Sequence, residues 1–501
     1  MRTALFLLAG VALAAPAAAA DPAARTLVEQ ALAAQGGVEA LRAIHAVRLH
    51  EIVERNAIEQ SVRPDGPFFQ NIADTVETRR LGDAPALRTE ARNRGFLSSW
   101  WTRANWAETT NMVVDGVAYA VRGGTLGAAS QSAVAPAEAS LALGPERALL
   151  TALAASDLAR AAPEELHGRA HDVVTFRWHD APVKLYLAPV SHMPAAVEIT
   201  RPHPLDIFLS PWGDVTTRVE WDGWTAEANG VRYPRLLRRS VNGTVESTTM
   251  IDAVELNPAI APDTFAIPAE TAAKAKAARR PVAALPFPAD HRTEIAPGIA
   301  QIQGRWNIVE VEQPDGVYVV EGPISNAYST AAIADARTAG KPLLGVVTTS
   351  DAWPHIGGLR EYVAEGVPII ALDLNRPTLE RLFASPHVQA PDHLAEQPRK
   401  PMLRTVSAPT TIGSGDTAMR LIPLRTASGE RQMAIYWPAH RLLYTSDLIA
   451  VRPDAVWLPQ YRDEIASVIA REGLDVETVF GMHYAPVAWS KVQAMQAPGV
   501  G

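Results

Sequence analysis

A proline-rich break divides this chain and limits how it can fold. Residues 269–280 are rich in alanine, lysine and arginine, and Pro281, Pro286 and Pro288 follow closely. Such a segment favours a stiff connection, so we expect two units joined by a linker over residues 269–295. The length of 501 residues agrees with two or more domains of about 150 residues each. Because the chain has no cysteine, each unit depends on its apolar core, without disulfides or thiolate metal sites.

The first unit, residues 21–268, begins with a helical pattern and continues with strand patterns. Apolar residues recur at helical spacing in Leu27, Val28, Ala31 and Leu32. Asp115-Gly116 and Asn242-Gly243 are typical of tight turns between antiparallel strands. We therefore predict an α+β unit with a mainly antiparallel, curved sheet.

The second unit, residues 296–501, alternates between the two kinds of pattern. Residues 317–320, 343–347 and 367–372 are short apolar runs that suit buried strands. Residues 331–339 and 358–365 between them have helical character. Alternating strands and helices predict a layered α/β unit.

The first twenty residues predict export. Arg2 supplies a positive charge, residues 4–15 are almost wholly apolar, and Ala17 to Ala20 form a small-residue cleavage site before Asp21. This is the pattern of a signal peptide, so we expect a periplasmic protein. No later segment approaches about 18 uninterrupted apolar residues, and we do not expect an integral membrane protein.

Charge and aromatic content restrict the partners. The net charge is −8, and we find no concentrated basic tract apart from residues 274–280, so we expect no nucleic-acid partner. Trp100, Trp101 and Trp106 could line a binding site, but large aromatic side chains more often pack in a core, and we favour packing.

The most specific pattern lies at residues 347–360, which read VTTSDAWPHIGGLR. With the segments 320–323 before it and 361–366 after it, this stretch resembles the metal loop of the metallo-β-lactamase superfamily, T-H-x-H-x-D-H-x-G-G. The resemblance covers about residues 295–490. It implies an αββα sandwich for residues 296–501.

Most of the metal ligands implied by this resemblance are replaced. The loop positions of the family's two histidines, aspartate and third histidine hold Ser350, Ala352, Pro354 and His355. Downstream, the segments 443–447 and 481–486 resemble those that carry the bridging aspartate and the final histidine, and both ligands are present as Asp447 and His483. Two further histidine positions hold Ser428 and Leu372.

The three ligands that are retained, His355, Asp447 and His483, define a candidate metal site. Two histidines and a carboxylate match the three protein ligands of a catalytic zinc site. We expect at most one divalent metal, with zinc favoured, and no metal is the alternative. Asp351 is a further candidate ligand in place of the lost aspartate, although strand alternation directs it away from Ser350 and Ala352.

The first unit also resembles a known class. Residues 22–268, which close on Asn257-Pro258 and Phe265-Ala266-Ile267-Pro268, resemble the periplasmic lipoprotein carriers. This resemblance implies a concave apolar surface able to hold a lipid or a similar ligand.

Three functions remain open from the sequence. The first is a non-hydrolytic or strongly altered member of the superfamily that binds a small molecule or a partner. The second is a hydrolase that uses one metal held by His355, Asp447 and His483. The third is a carrier of lipid or another apolar ligand through the first unit. The sequence selects no substrate and no oligomeric state, and fold alone does not decide among these functions.

Overall fold

The computed structural model describes residues 21–495 except positions 60, 62, 64, 96–106, 228, 450, 453, 454, 457 and 458. The predicted signal peptide and the three tryptophans Trp100, Trp101 and Trp106 lie outside the described residues. Among the described residues, no helix is long and apolar enough to cross a membrane.

The first unit consists of antiparallel strands with helices between and before them. Its helices are α1 Pro22–Gln35, α2 Val38–Arg42, α3 Val134–Leu143 and α4 Ala148–Ala154. Its strands are β1 Ala46–Asn56, β2 Gln70–Arg80, β3 Ala86–Gly95, β4 Ala107–Val114, β5 Val117–Arg122, β6 Thr125–Ala128, β7 Ala159–Arg160, β8 Glu164–Leu166, β9 Arg169–Trp178, β10 Ala181–Leu187, β11 Pro194–Arg201, β12 Val215–Asp222, β13 Thr225–Ala226, β14 Arg232–Tyr233, β15 Leu236–Val241 and β16 Thr244–Leu256.

Most of these strands form one large sheet in the order β6-β5-β4-β3-β2-β1-β16-β15-β12-β11-β10-β9-β7, with β8 beside β9. The two predicted turns are confirmed. Asp115-Gly116 joins β4 to β5 and Asn242-Gly243 joins β15 to β16, with positive φ at all four residues. Positive φ at both central residues matches the right-handed twist of the flanking strands.

Helices cover one face of this sheet, which we call the inner face. Side chains that alternate along each strand, such as Leu49, Val197 and Leu185, pack there against Val28 and Leu149 of the helices α1 and α4. The predicted amphipathic helix is confirmed as α1, whose N-cap Asp21 accepts a hydrogen bond from Ala23 N at 2.9 Å.

The second unit contains two further sheets. One has the order β17 Arg292–Ala296, β18 Ile299–Ile302, β19 Ile308–Gln313, β20 Gly316–Val320, β21 Leu343–Thr348, β22 Ile369–Leu372 and β23 Leu403–Val406. The other has the order β24 Thr410–Ile412, β25 Met419–Pro423, β26 Met433–Trp437, β27 Leu442–Tyr444, β30 Thr478–Gly481 and β31 Tyr484–Ala488, and a small pair is formed by β28 Val451–Arg452 and β29 Ala455–Val456. The helices are α6 Asn326–Ala336, α7 Leu359–Ala364, α8 Arg376–Ala384, α9 His393–Glu396, α10 Pro459–Glu472 and α11 Trp489–Ala494.

These sheets pack face to face, and helices cover both outer faces. Val319 and Val347 of one sheet share a buried core with Ile435 of the other and with Leu359 and Leu379 of the helices. The far face of the second sheet packs on α10 and α11 in a separate core. The predicted mixed α/β class is therefore confirmed, because the apolar runs are buried on both faces.

The segment 269–295, predicted to be a linker, contains ordered elements. Helix α5 Ala269–Ala278 buries Ala275 against the outer face of the first sheet, and β17 already begins at Arg292. Val282 N donates to Pro204 O at 2.7 Å, which joins this segment to the first unit.

Candidate metal site

The candidate residues lie in loops that leave one end of the two sheets of the second unit. Strands β20, β21, β22 and β23 run parallel, as do β27 and β30. The loops after β20, β21, β27 and β30 therefore emerge together, which is where α/β proteins place their ligands. These loops carry Glu321, His355, Asp447 and His483.

Glycines allow the loops to approach one another closely. A Cβ on Gly358 would lie 2.0 Å from Ser329 Oγ and 2.6 Å from Ser325 O. A Cβ on Gly357 would lie 2.7 Å from Ile324 O. The paired glycines of the motif thus pack the loop after β21 against the loop after β20, which places His355 on the inside.

The structure brings His355, Asp447 and His483 together, although they are far apart in sequence. One ligand atom from each residue lies within 4.8 Å of the other two. Asp447 is central, with Oδ2 at 3.4 Å from His355 Nε2 and Oδ1 at 2.7 Å from His483 Nε2. The two imidazole rings are 5.7 Å apart, and Trp306 lies beside His483 with its ring 6.3 Å away.

Burial controls the charge of His355. The side chain is 2% exposed, and burial lowers its pKa to about 4, although Asp447 acts in the opposite direction. The imidazole is therefore neutral at pH 7 and can offer a lone pair to a cation. Its Nδ1 is buried and has no hydrogen-bond partner among the described residues.

A buried polar network lies beside this group. The Glu321 carboxylate accepts hydrogen bonds from Tyr444 OH at 3.3 Å and from the backbone N and the hydroxyl of Thr349. Burial raises the pKa of Glu321 to about 8. Thr349 Oγ1 also lies 2.7 Å from Ser446 Oγ, which links the loops after β20, β21 and β27. Sequence analysis did not predict this network, because its members come from different loops.

The other residues at the ligand positions that the resemblance implies make different contacts. Ser350 Oγ accepts a hydrogen bond from Ala352 N at 3.2 Å and shapes its own loop. Ser428 Oγ donates to Glu464 of α10 at 3.0 Å, and Leu372 is fully buried in the core. Asp351 forms a close ion pair with Arg431 and is not one of the three residues whose ligand atoms converge.

The first unit covers the loop that holds His355. Trp353 N donates to Glu59 O at 3.2 Å, and the Trp353 ring packs on Trp212 with centroids 4.8 Å apart. The β1–β2 connection also places Arg63 at 3.0 Å from Glu430. The sequence carried no signal for these contacts, because they join the two units.

The convergent residues fit a single divalent metal. Two imidazoles and one carboxylate are ligands that zinc accepts, and three protein ligands leave a fourth position for another molecule. The neutral state of His355 agrees with this role, because a metal ligand must be unprotonated. The same distances also describe a trio without metal, in which the Asp447 carboxylate lies between the two imidazoles.

A second group, Glu361, Glu365 and His393, also has ligand atoms within 4.8 Å of one another. Its charges are already paired, since His393 Nδ1 lies 3.2 Å from Glu361 Oε1 and Arg337 Nη2 lies 2.9 Å from Glu365 Oε2. This group therefore serves as a control for metal binding at the first.

Comparison with known proteins gives matches to solved structures alone. No family model and no curated protein matches the chain. The metallo-β-lactamase from Pontibacter korlensis is 15% identical, with 40% of this chain and 93% of that one covered and a TM-score of 0.30. The enzyme from Hirschia baltica is 17% identical, with 40% and 93% covered and a TM-score of 0.30. DIM-1 metallo-β-lactamase is 13% identical, with 40% and 91% covered and a TM-score of 0.30. Scores this low do not assign the chain to a family.

Proposed function

We propose that the second unit is a metallo-β-lactamase-type sandwich that holds one divalent metal, zinc, through His355, Asp447 and His483. It has lost the three-histidine site and acts as a non-hydrolytic or strongly altered member that binds a small molecule or a partner. The observation that carries the proposal is the convergence of these three ligand atoms within 4.8 Å.

We expect little or no hydrolytic activity, because of the residues around His355, Asp447 and His483. Pro354 stands where the resemblance implies a water-orienting aspartate, and proline has no side-chain donor or acceptor. Asp351, the neighbouring carboxylate, is engaged by Arg431. Two-metal clamping of a substrate would need a second set of ligands, and Ser350, Ala352 and Ser428 supply no imidazole.

A hydrolase with one metal is the second candidate. It is favoured by the count of three protein ligands and by the neutral state of His355. When bound, zinc supplies a Lewis acid that polarises carbonyl or phosphoryl oxygens. Asp447 and the two histidines would hold it, and Trp306 beside His483 would line the approach.

Metal content of the purified full chain tests the site. We expect about one zinc per chain after incubation with zinc and dialysis, because three neutral or anionic ligands are in place. Asp447→Ala and His483→Ala should each lose it, whereas His291→Ala, at an exposed histidine, should retain it. Elemental analysis gives the metal content, and circular dichroism confirms that each variant is folded.

Two results would contradict the proposed site. One is a chain that binds no zinc under these conditions. The other is zinc that is lost in His393→Ala and retained in His483→Ala, which would assign the metal to the second group.

Turnover separates the two candidates. The zinc-loaded chain should hydrolyse a β-lactam, a thioester and a phosphodiester no faster than the Asp447→Ala variant does. Turnover comparable with that of an intact metallo-β-lactamase would instead establish the hydrolase with one metal.

A further inference from the structure

A cavity lies in the first unit, away from the candidate metal site. It has a volume of about 550 Å³ and lies between the inner face of the first sheet and the helix α3. Small-molecule sites commonly have volumes of about 300–1,000 Å³. The resemblance to lipoprotein carriers implies an apolar surface here, but the walls of this cavity are of two kinds.

One end of the cavity is cationic. Arg55, Arg201 and Arg239 lie near the ends of β1, β11 and β15 and share the inner face. Burial lowers the pKa of Arg239 to about 10, and the nearby charges of Arg55 and Arg201 act in the same direction. These three guanidinium groups therefore repel one another in a partly dehydrated space.

The carboxylates nearby form no salt bridge with Arg201 within the described residues. Burial lowers the pKa of Arg201, and the nearby charge of Glu138 acts in the opposite direction. Glu246 forms ion pairs with Arg239 and, at 3.6 Å, with Arg55. Asp206 accepts hydrogen bonds from Phe208 N at 2.8 Å and Leu209 N at 3.1 Å. Within the described ranges Arg201 has no salt bridge, and its Nε is buried without a hydrogen-bond partner. The guanidinium group donates a hydrogen bond to Ala135 O, and its carbon lies 5.5 Å from the centre of the Trp178 ring.

Two neutral groups beside Arg201 also have unused polar atoms. His203 is 4% exposed and its Nε2 is buried without a partner among the described residues. The same holds for Thr217 Oγ1, on the neighbouring strand β12. Burial lowers the pKa of His203 to about 3, helped by Arg201 and Arg239, so it stays neutral and the ring can donate one hydrogen bond. Buried polar atoms without partners are uncommon, and a ligand would satisfy them.

The rest of the cavity wall is mostly apolar, apart from a second polar cluster around Arg79. Its wall includes Leu87, Val113, Leu143, Val197, Val219 and Leu237. Arg79, also in the wall, is already paired with Glu77 at 2.7 Å and with Glu146 at 2.9 Å, so its charge is neutralised inside the protein. An apolar body could therefore lie along this wall without leaving a charge unpaired.

We propose that this cavity binds an amphiphile with a single anionic group, which is held by Arg201, His203 and Arg239, and with an apolar body along the wall toward Leu237. A carboxylate or a phosphate ester satisfies the cationic end equally, because both accept hydrogen bonds from guanidinium groups. The proposal does not depend on a metal in the second unit.

Binding of dodecanoate, dodecyl phosphate and dodecanol to the full chain tests this ligand class. Each is measured by displacement of a dansylated undecanoate probe, with inorganic phosphate as a competitor that lacks an apolar body. We expect dodecanoate or dodecyl phosphate to displace the probe, and the stronger of the two identifies the anionic group. Dodecanol and inorganic phosphate should compete at least about tenfold more weakly. Dodecanol lacks the anionic group, and inorganic phosphate lacks the apolar body.

Substitutions locate the site. Arg201→Gln should weaken dodecanoate binding about tenfold or more, and Arg201→Lys should restore part of it, because a hydrogen bond to a charged group is lost and then partly replaced. Arg238→Gln is the matched control on the opposite face of the same sheet, and should leave binding unchanged.

Val219→Phe should block binding of the anionic ligands, because the larger side chain fills the cavity. Thermal unfolding shows that each variant is folded, and an unchanged zinc content separates this result from the metal site.

Three outcomes would overturn the proposal. Equal binding of dodecanol and dodecanoate, unaffected by Arg201→Gln, would show an apolar site only. Competition by inorganic phosphate as strong as by dodecyl phosphate would show a simple anion site. The absence of binding by any of these probes would show that the cavity is structural.

Discussion

Single ionisable residues on the inner face of the first sheet are held in unusual states. Glu51 is 7% exposed, and burial, with Glu77 nearby, raises its pKa to about 8, although Arg79 acts in the opposite direction. The carboxyl group is thus protonated in the folded chain at neutral pH, whereas in the unfolded chain it ionises near 4.5. The folded chain therefore binds the extra proton between these two values, and its stability falls as the pH rises through them.

Replacing Glu51 with glutamine removes this titration. We expect the Glu51→Gln variant to lose less stability than the parent as the pH rises from about 4.5 to 8. The difference in slope should not exceed about 1.4 kcal/mol per pH unit, which is the limit for one proton. Urea unfolding at several pH values measures it. Glu54→Gln, on the exposed face of the same strand, should keep the parent slope, and an equal slope for Glu51→Gln would refute the raised pKa.

At the scale of elements, the short loops after the parallel strands depend on close backbone contacts. Gly358 is the N-cap residue of α7 and rests against the first turn of α6, where a Cβ would lie 2.0 Å from Ser329 Oγ. Gly358→Ala should destabilise the chain by about 1–3 kcal/mol, because the two helices must separate. Chemical denaturation measures the change.

The control for this prediction is a glycine with free space around it. Gly127 lies in β6 and does not have a positive φ, and no atom of the described residues would lie within 4 Å of an added Cβ. Gly127→Ala should change the stability by less than about 0.5 kcal/mol. If Gly358→Ala were equally mild, the close approach of α6 and α7 would not determine the position of the loop.

Elements with strong periodicity were predictable from the sequence, and contacts between distant segments were not. The buried runs at β20, β21 and β22 and the turn at Asn242-Gly243 follow from local patterns. The convergence of His355, Asp447 and His483 was expected only through a family resemblance. The ion pair of Asp351 with Arg431 had no local signal, because its partner comes from a different loop. The charged end of the cavity was also not predicted. The alternation of side chains along a strand shows which residues share a face of the sheet, but it does not show which helix covers that face.

At the scale of the whole molecule, the two units share a core. Ile207, Leu209 and Trp212 of the first unit belong to the same buried cluster as Ile356 and Leu379 of the second. The Asp214 carboxylate also accepts hydrogen bonds from Val388 N and Gln389 N. We therefore expect the parent chain to unfold in urea as one cooperative transition.

Trp353→Ala should weaken this coupling. The variant loses the ring contact with Trp212, at a cost of about 3 kcal/mol, and its urea unfolding should separate into two transitions. Trp224→Ala removes a tryptophan that packs within the first unit alone, 6.4 Å from Trp221, and should leave a single transition. A single transition for Trp353→Ala would show that other contacts suffice to couple the units.

The loop from Ser350 to His355 has two structural roles. It joins the two units, and it positions His355. The Trp353 ring packs on Trp212 and the Trp353 amide donates to Glu59, and the next residue, Pro354, is buried. Introducing histidines at 350 and 352 and an aspartate at 354, the ligands that the resemblance implies there, would therefore also change the contacts between the two units. A second metal site could therefore be built into this loop only if the contacts of Trp353 with the first unit were kept.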